Sequence, residues 1–486
     1  MLSRNRTPAS PLVTSLAAAA IAACASHGCA QAQSDEGPPP RPKFQFVRQN
    51  EDWSRFRAPD DAGALDRLKH LALDGDGNVW LSLGGRIDAR AELWDGFGFG
   101  ATTPGNQDAF LLSRAITHAD LHVGSRVRFW VEAKTAQVLG RDALPGRRRG
   151  LDLDTAALYQ AFADVRLVDG DVDGDGALTL RVGRQTFLFG VQRLVSPLPW
   201  ANTLRTWDGV SARYDAGPWS VTGFATWFVP VQKRSFNDSD DDQEFYGVYA
   251  TRAPQADGRG YDVYVLGNSR PNVTVNGTTG DERRYTVGGR TWGALGAFAG
   301  GKVDGEVEGA WQFGEVGNAD VSAWSIAAVL GYRPDDWSWS PRFFCGVDAA
   351  SGDERQGGDV ETFHQLFPLG HAYLGWADAV GRQNVFAVQA GAQLALTPST
   401  SLQVVGHSFR LIERSDALYN VGGGVARTGL GGREVGHEVD VLVNHKIDRH
   451  VSLYGGYSHL FAGDGIAASG PSEDQRFLYL GASVVF

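Results

Sequence analysis

The chain has 486 residues, of which 43% are hydrophobic and 21% charged, so it is too apolar for a disordered protein. Its formal net charge of −11 argues against a nucleic-acid partner, because phosphate binding requires clustered Lys and Arg in excess. We therefore expect a folded protein whose partners do not include nucleic acid.

The first residues have the order of a secretory leader. Two early arginines precede the run PLVTSLAAAAIAAC, and small residues follow it. Ala30 and Ala32 form an A-x-A pattern, so we predict a signal peptide over residues 1–32, cleaved after Ala32. Lipidation of Cys24 is the competing interpretation. In either case we expect export through the inner membrane, which leaves Cys345 as the one cysteine within the folded part.

Residues 33–79 are predicted to be a periplasmic linker with a short helix. The stretch SDEGPPPRPK is charged and rich in proline, so it cannot pair in a sheet. Leu65, Leu68 and Leu71 have the spacing of one short amphipathic helix. A helix of this size is more often a docking element or lid than a domain.

From residue 80 to residue 486 the hydrophobic period is two. In WLSLGGRIDARAELW the odd positions are apolar, whereas the even positions carry Arg86, Asp88, Arg90 and Glu92. The pattern recurs in roughly 18 segments of about ten residues, and short links alternate with long ones such as 188–208, 268–283 and 350–383. Beyond the leader no apolar run of about 18 residues occurs. The sequence thus predicts an all-β protein, a transmembrane antiparallel β-barrel of about 18 strands, over a soluble sandwich or propeller.

The chain ends in RFLYLGASVVF, which alternates up to an aromatic final residue. Such an end resembles the signal that the bacterial outer-membrane barrel assembly machinery recognises. We predict that this strand pairs with the first one to close the barrel, and that Phe486 is the assembly signal. The predicted location is the bacterial outer membrane, with its lipid bilayer as a partner.

Two stretches resemble the alginate export family of outer-membrane barrels. The first is RVGRQTFLFGVQRLVSPLPWANTLRTWDGVSARY, residues 181–214, and the second is ASGDERQGGDVETFHQLFPLGHAYLGWADAVGRQN, residues 350–384. The positions of the first stretch that match the family pattern are Gly183, Arg184, Gln185, Phe189, Gly190, Arg193, Leu194, Val195, Trp200, Asn202, Arg205, Thr206, Trp207, Asp208 and Gly209. Val191, Gln192 and Pro199 depart from it. The resemblance extends from about residue 80 to residue 486 and implies a passive conduit for an anionic polysaccharide.

The lumen-facing charges are unevenly distributed. Arginines outnumber acids in the first six strands, while later strands carry acids in the same phase, so we expect a transverse field that an anionic chain would follow. The proposed substrate path consists of Arg86, Arg90, Arg128, Arg184, Arg193, Arg205, Asp208, Asp353, Glu438 and Asp440. Guanidinium groups suit this role because they bind both oxygens of a carboxylate. The alternative is that these charges form salt-bridge ladders that stiffen the lumen.

Three functions remain open from the sequence: a conduit for an anionic polysaccharide or small anionic solute, a porin for uptake of small solutes, and a barrel-embedded enzyme. No Ser-His-Asp set has the local sequence of a nucleophile elbow, so we expect no enzyme. His118 and His122 flank Asp120 on one strand face, but lumen hydrogen bonding is the favoured explanation, and we expect no metal and no cofactor. The sequence does not fix whether loops 188–208 and 350–383 turn inward.

Overall fold

The computed structural model describes residues 41–58, 63–102, 105–144, 149–170, 176–256 and 258–486. The predicted signal peptide, with its cleavage site and Cys24, lies outside these residues. Within them the chain forms one closed antiparallel barrel of 18 strands, which confirms the predicted fold class. None of the described helices is long and apolar enough to cross a membrane.

The barrel strands follow one another in chain order, each paired with the next. They are β1 (Val79–Asp95), β2 (Asp108–Val123), β3 (Val127–Leu139), β4 (Asp154–Val168), β5 (Ala177–Gln185), β6 (Trp207–Ala216), β7 (Trp219–Phe228), β8 (Glu244–Arg252), β9 (Arg259–Val275), β10 (Thr278–Phe298), β11 (Gly301–Val316), β12 (Ala319–Pro334), β13 (Arg342–Ala350), β14 (Val385–Thr397), β15 (Thr400–Arg410), β16 (Glu434–Lys446), β17 (Val451–Ala462) and β18 (Gln475–Val485).

Only short elements accompany the barrel in the described part of the chain. The helical ones are Arg48–Asn50, Ala64–Arg67, Phe97–Gly100, His371–Leu374 and Asp464–Ala467. The extended ones are Leu71–Ala72, which pairs with β1, and the hairpin formed by Leu418–Tyr419 and Val425–Arg427. In the helix Ala64–Arg67 the buried residue is Asp66, whereas Leu65 is exposed.

The last strand closes the barrel on the first one. Between β1 and β18 the register runs from Arg86 opposite Val485 to Asp95 opposite Arg476. One residue further, Gly85 and Phe486 exchange backbone hydrogen bonds, with N···O distances of 2.9 and 3.0 Å. The final residue therefore takes part in closure, and the sheet has no free edge at this seam.

The side-chain alternation places charges inside and hydrocarbon outside, as the period of two predicts. In β1 Arg90 is 8% exposed and Glu92 is buried, whereas Ile87 is 51% exposed and Leu93 is also exposed. An outward apolar surface on a closed sheet is typical of a barrel that lies in lipid.

The two ends of the barrel differ. The end where β1 begins and β18 ends, here called the terminal end, has short connections such as 124–126, 217–218 and 398–399. The opposite end, here called the long-loop end, carries 186–206, which we name loop A, and 351–384, which we name loop B. The predicted long loop at 268–283 is wrong: β9 and β10 continue through it and meet in a two-residue turn at Asn276 and Gly277, both with positive φ, as a type I′ hairpin requires.

Candidate functional site

Loops A and B both turn into the lumen and pack on each other there. Val195 of loop A forms an isolated parallel bridge with Phe367 of loop B. The N···O distances are 2.8 Å from Phe367 to Leu194 and 2.9 Å from Ser196 to Phe367. A large cluster of buried apolar residues joins the two loops to the wall, and it includes Phe187, Trp207, Phe245, Phe363 and Phe367. The lumen is thus constricted by a packed core.

Loop A is fixed to the wall on both sides of the lumen. The amide nitrogen of Asn202 lies 2.9 to 3.1 Å from the carbonyl oxygens of Ser113, Gln137 and Asp152. On the other side Arg193 forms ion pairs with Glu306 and Glu308 of β11. These contacts hold the loop across the barrel axis.

Loop B is anchored by its own set of polar contacts. Arg382 is buried and pairs with Asp348 of β13 at 2.5 Å. The amide of Gln312 on β11 donates to the His364 carbonyl at 2.7 Å. Asp353 accepts from the backbone N–H groups of Glu361 and Thr362 and is buried. Asp353, one of the predicted path residues, therefore stabilises the conformation of loop B through hydrogen bonds within the loop.

The predicted acidic residues of β16 lie beneath loop B. Glu438 accepts a hydrogen bond from the backbone N–H of Ala377 at 2.8 Å. Asp440 is fully buried, with the ring of His407 3.3 Å away. Glu438 thus contacts loop B, whereas Asp440 contacts the neighbouring strand β15.

Residues 41–58, here called the N-terminal segment, enter the lumen from the terminal end. Arg48 forms a buried ion pair with Glu51 and donates to the carbonyl oxygens of Gly85 and Phe486 at 2.9 and 3.0 Å. Gln49 is buried and hydrogen bonds to Gln160 of β4 at 2.9 Å. These contacts connect the segment to the barrel seam and to the wall.

Aromatic side chains of the N-terminal segment complete this closure. Trp53 is 2% exposed and packs with Phe56 and Trp80. Phe46 packs against a cluster that contains Leu204 of loop A. The segment therefore meets an inward loop inside the barrel, a contact that the sequence did not predict.

Lys69, close to this segment, is a buried cation. Lys69 is buried beside the rings of Phe44 and Trp53 and donates to the Leu83 carbonyl at 2.6 Å. Burial, and secondarily the nearby Arg48 guanidinium, lower the pKa of Lys69 to about 8.

Most of the predicted arginines are paired with carboxylates. Those on the strands bond within one strand or across to its neighbour: Arg86 with Asp88 at 2.8 Å, Arg90 with Glu92 at 2.7 Å, Arg128 with Asp120 at 2.6 Å, and Arg184 with Asp208 at 2.7 Å. The last pair is formed by residues directly opposite in the β5–β6 register. The wall therefore contains the salt-bridge ladders of the alternative interpretation.

Arg205 differs from the others. It lies in loop A, donates to the Pro368 carbonyl at 2.9 Å and approaches the ring of Phe367. Among the residues that the structure describes, no carboxylate lies within ion-pair distance of it. Because the side chain is partly exposed, it presents an uncompensated positive charge where the two loops meet.

A cavity of about 260 Å³ remains beside the constriction. Strand side chains of β1 and β2 form one wall, and loops A and B supply Trp200 and Trp376. Sequence reasoning predicted Arg86 and Arg90 for the lumen but missed Trp376, His371 and Tyr454, since these residues come together only after loop B turns inward.

Known proteins resemble this chain in family and in fold. A family model described as alginate export matches residues 79–479. Among solved structures from Pseudomonas aeruginosa, OpdO is 12% identical with a TM-score of 0.52, and the match covers 83% of this chain and 97% of that one. OccK5 (OpdH) is 10% identical with a TM-score of 0.54, covering 83% and 98%, and OccK2 (OpdF) is 9% identical with a TM-score of 0.55, covering 83% and 98%. These structures share the fold. Comparison with curated proteins finds no match.

Proposed function

Because the chain belongs to the alginate export family and is an outer-membrane channel, we propose that it passes anionic solutes along the arginines of its constricted lumen. The observation that carries this proposal is Arg205, a cation without a carboxylate partner in the described part of the chain, at the junction of loops A and B. A preorganised guanidinium in a narrow, partly desolvated passage attracts carboxylates and repels cations.

The predicted path residues have different roles in this proposal. We assign solute contact to Arg86 and Arg205, whose side chains border the cavity and the loop junction. Arg90 borders the same cavity, but it donates to Glu92 and to the Trp200 carbonyl. Paired residues such as Arg128, Arg184 and Asp208 shape the wall. Asp353 and Glu438 hold loop B, Arg193 holds loop A, and Asp440 lies against His407 within the wall. Solute passage then requires displacement of the inward loops, because they are joined across the lumen.

The orientation and biogenesis belong to the same proposal. The terminal end faces the periplasm and the long loops face outward, in keeping with the connection lengths of outer-membrane barrels. Residues 1–32 are a cleaved signal peptide, and the barrel assembly machinery recognises the strand that ends in Phe486. Chemistry on the solute is not part of the function: the protein carries its solute and does not act as an enzyme.

The test is block of single-channel current in planar bilayers by oligouronates and by neutral oligosaccharides of equal length. We expect oligouronates to block more strongly, and Arg205→Ala to weaken that block roughly tenfold, since a charge-assisted hydrogen bond is worth about 1.5–3 kcal/mol. Arg126→Ala is the matched control, because Arg126 is an exposed arginine in the 124–126 turn, paired with Asp169. Equal block by both sugars, or the same effect of both variants, would contradict the proposal.

A porin for uptake of small solutes is the second candidate. The small size of the cavity favours it, since about 260 Å³ lies below the roughly 300–1,000 Å³ of drug-sized sites. The two candidates are separated by liposome permeation: a porin passes single sugar acids and excludes their oligomers, whereas a polymer conduit passes both.

A further inference from the structure

Two adjacent carboxylates lie on the inner wall beneath loop B. Glu438 and Asp440 are two positions apart on β16, so both point into the lumen, and both are almost fully buried. Their carboxylates interact directly. In the described part of the chain, no lysine or arginine forms an ion pair with either of them. They differ in this from lumen acids such as Asp88 and Asp208, which bond to arginines.

Most oxygens of this acidic pair have no hydrogen-bond partner among the described residues. These oxygens are Glu438 Oε2 and both carboxylate oxygens of Asp440. The His407 ring lies 3.3 Å from Asp440 Oδ2, but without hydrogen-bond geometry. Glu438 Oε1 is satisfied, because it accepts from the backbone N–H of Ala377. Burying ionised carboxylates in this state is costly, so the pair requires a compensating positive charge.

A neighbouring hydroxyl group indicates the nature of that charge. Ser458 on β17 lies directly opposite Asp440 in the β16–β17 register. Its side chain is fully buried, and its hydroxyl has no hydrogen-bond partner among the residues that the structure describes. A proton shared between the two carboxylates leaves this hydroxyl unsatisfied in its position, whereas a bound cation accepts the lone pairs of all three side chains.

Loop B leaves space for an ion at this place. Gly375 passes over Glu438 Oε2, and a Cβ on this residue would clash with that oxygen. Its φ of +85° also favours glycine. The next turn of the loop is fixed to the wall, because Gln475 donates to the Ala377 carbonyl. The absence of a side chain at residue 375 therefore keeps Oε2 accessible to a small ion.

We propose that Glu438, Asp440 and Ser458 bind one Ca²⁺ ion on the inner wall beneath loop B. All three supply oxygen ligands, which hard cations prefer, and two carboxylates balance the charge of one divalent ion. Ca²⁺ suits the site better than Mg²⁺, because Ca²⁺ accepts irregular geometries whereas Mg²⁺ demands a near-ideal octahedron. The bound ion neutralises a patch of wall that otherwise repels anions. The site goes beyond the proposed function and does not depend on it.

The test is terbium luminescence of the refolded mature protein in detergent. Tb³⁺ serves as the probe for a Ca²⁺ site, and excitation of tryptophan reports an ion close to Trp376, which precedes Ala377 in loop B. We expect one saturable site from which Ca²⁺ displaces Tb³⁺, with a Kd for Ca²⁺ on the order of 10⁻⁴–10⁻³ M. Mg²⁺ should displace Tb³⁺ about tenfold less effectively.

Variants assign the signal to this site. Glu438→Gln and Asp440→Asn should each weaken Ca²⁺ binding about tenfold or more, since each removes a charged ligand but keeps the shape of the side chain. Ser458→Ala should weaken it by a smaller factor. Glu315→Gln is the control, because Glu315 is an exposed carboxylate of β11. Heat-modifiable migration verifies that each variant is folded.

Two results would overturn the proposal. One is the absence of saturable binding that Ca²⁺ displaces from the wild-type protein. The other is an affinity in Glu438→Gln and Asp440→Asn equal to that of the Glu315→Gln control. The measurement needs neither current nor solute, so its failure is distinguishable from a loss of anion conduction.

Discussion

At the scale of single residues, the lumen shows why a buried charge is a poor guide to its role. Arg184 and Asp208 were both predicted for the substrate path, yet they bond to each other across β5 and β6. Burying such a pair adds little net stability, whereas removing one partner leaves an uncompensated charge and costs roughly 3–5 kcal/mol. Arg205 stands out because no described acid pairs with it.

The burial of Lys69 predicts that the stability of the N-terminal segment in the lumen depends on pH. Its folded pKa of about 8 lies below the ordinary value of 10.5, so the unfolded state binds more protons between these values. Burying the charged form of Lys69 destabilises the folded state below pH 8, and this destabilisation is relieved as the pH rises toward 10.5. The charged and titratable groups near Lys69 are Arg48, Glu51, Asp66 and His118.

We therefore expect cleavage within residues 41–58 by subtilisin to slow between pH 7.5 and pH 10. The free energy needed to dislodge the segment from the lumen should rise by on the order of 1–3 kcal/mol over this range. Rates are normalised to an unfolded peptide of the same sequence. Lys69→Met should abolish the slope, and an unchanged slope in that variant would mean that another group is responsible.

At the scale of elements, the inward loops are held in an uncommon backbone geometry. Six non-glycine residues with positive φ lie in loops A and B: Gln192, Leu198, Leu204, Leu366, Asp378 and Asn384. Each such conformation costs of order 1 kcal/mol or more and persists only where packing imposes it. The packing of the two loops therefore imposes their conformation. The N-terminal segment contributes to this packing from the other end of the barrel, because Phe46 packs against the cluster that contains Leu204.

Removal of residues 41–58 from the mature protein is expected to raise single-channel conductance, because this segment occupies the terminal end of the lumen and its Phe46 packs against the cluster that contains Leu204, so that its loss also loosens loop A. The control is Gln255→Ala, in an exposed turn at the same end with only local hydrogen bonds. Conductance equal to that of the full chain, in a variant that still shows heat-modifiable migration, would show that the segment does not narrow the path.

The sequence predicted the strands and the lumen phase because alternation is local: each side chain's direction follows from its neighbours. It failed for the loops, whose direction depends on contacts more than 100 residues apart, such as Val195 with Phe367. Residues 33–79 were predicted as a linker with one helix, and the aromatic content of FQFVRQNEDWSRF was the signal for packing that went unused. The β9–β10 hairpin was missed although Asn276-Gly277 is the strongest hairpin dipeptide.

At the scale of the whole molecule, closure joins the first and last strands to the N-terminal segment. Phe486 pairs with Gly85, and Arg48 donates to the same terminal carbonyl. One residue thus connects the seam of the barrel with the segment that fills its mouth.

Deletion of Phe486 is expected to reduce the folded barrel in outer membranes severalfold, since both the seam contact and the proposed assembly signal are lost. The amount is measured as heat-modifiable protein in outer-membrane fractions. Phe461→Ala is the control, because Phe461 is an exposed aromatic residue of β17. If both variants reduced the amount of folded barrel equally, the loss would follow from removing any exposed aromatic residue, and Phe486 would have no special role in assembly.

The central claim is that the lumen selects anions, although the chain carries a net charge of −11. The most direct measurement is the reversal potential of the refolded channel in a planar bilayer under a tenfold KCl gradient. The account predicts a potential displaced toward the chloride equilibrium value, with the displacement reduced in Arg205→Ala. A potential displaced toward the potassium value, or one near zero in the wild type, would contradict it.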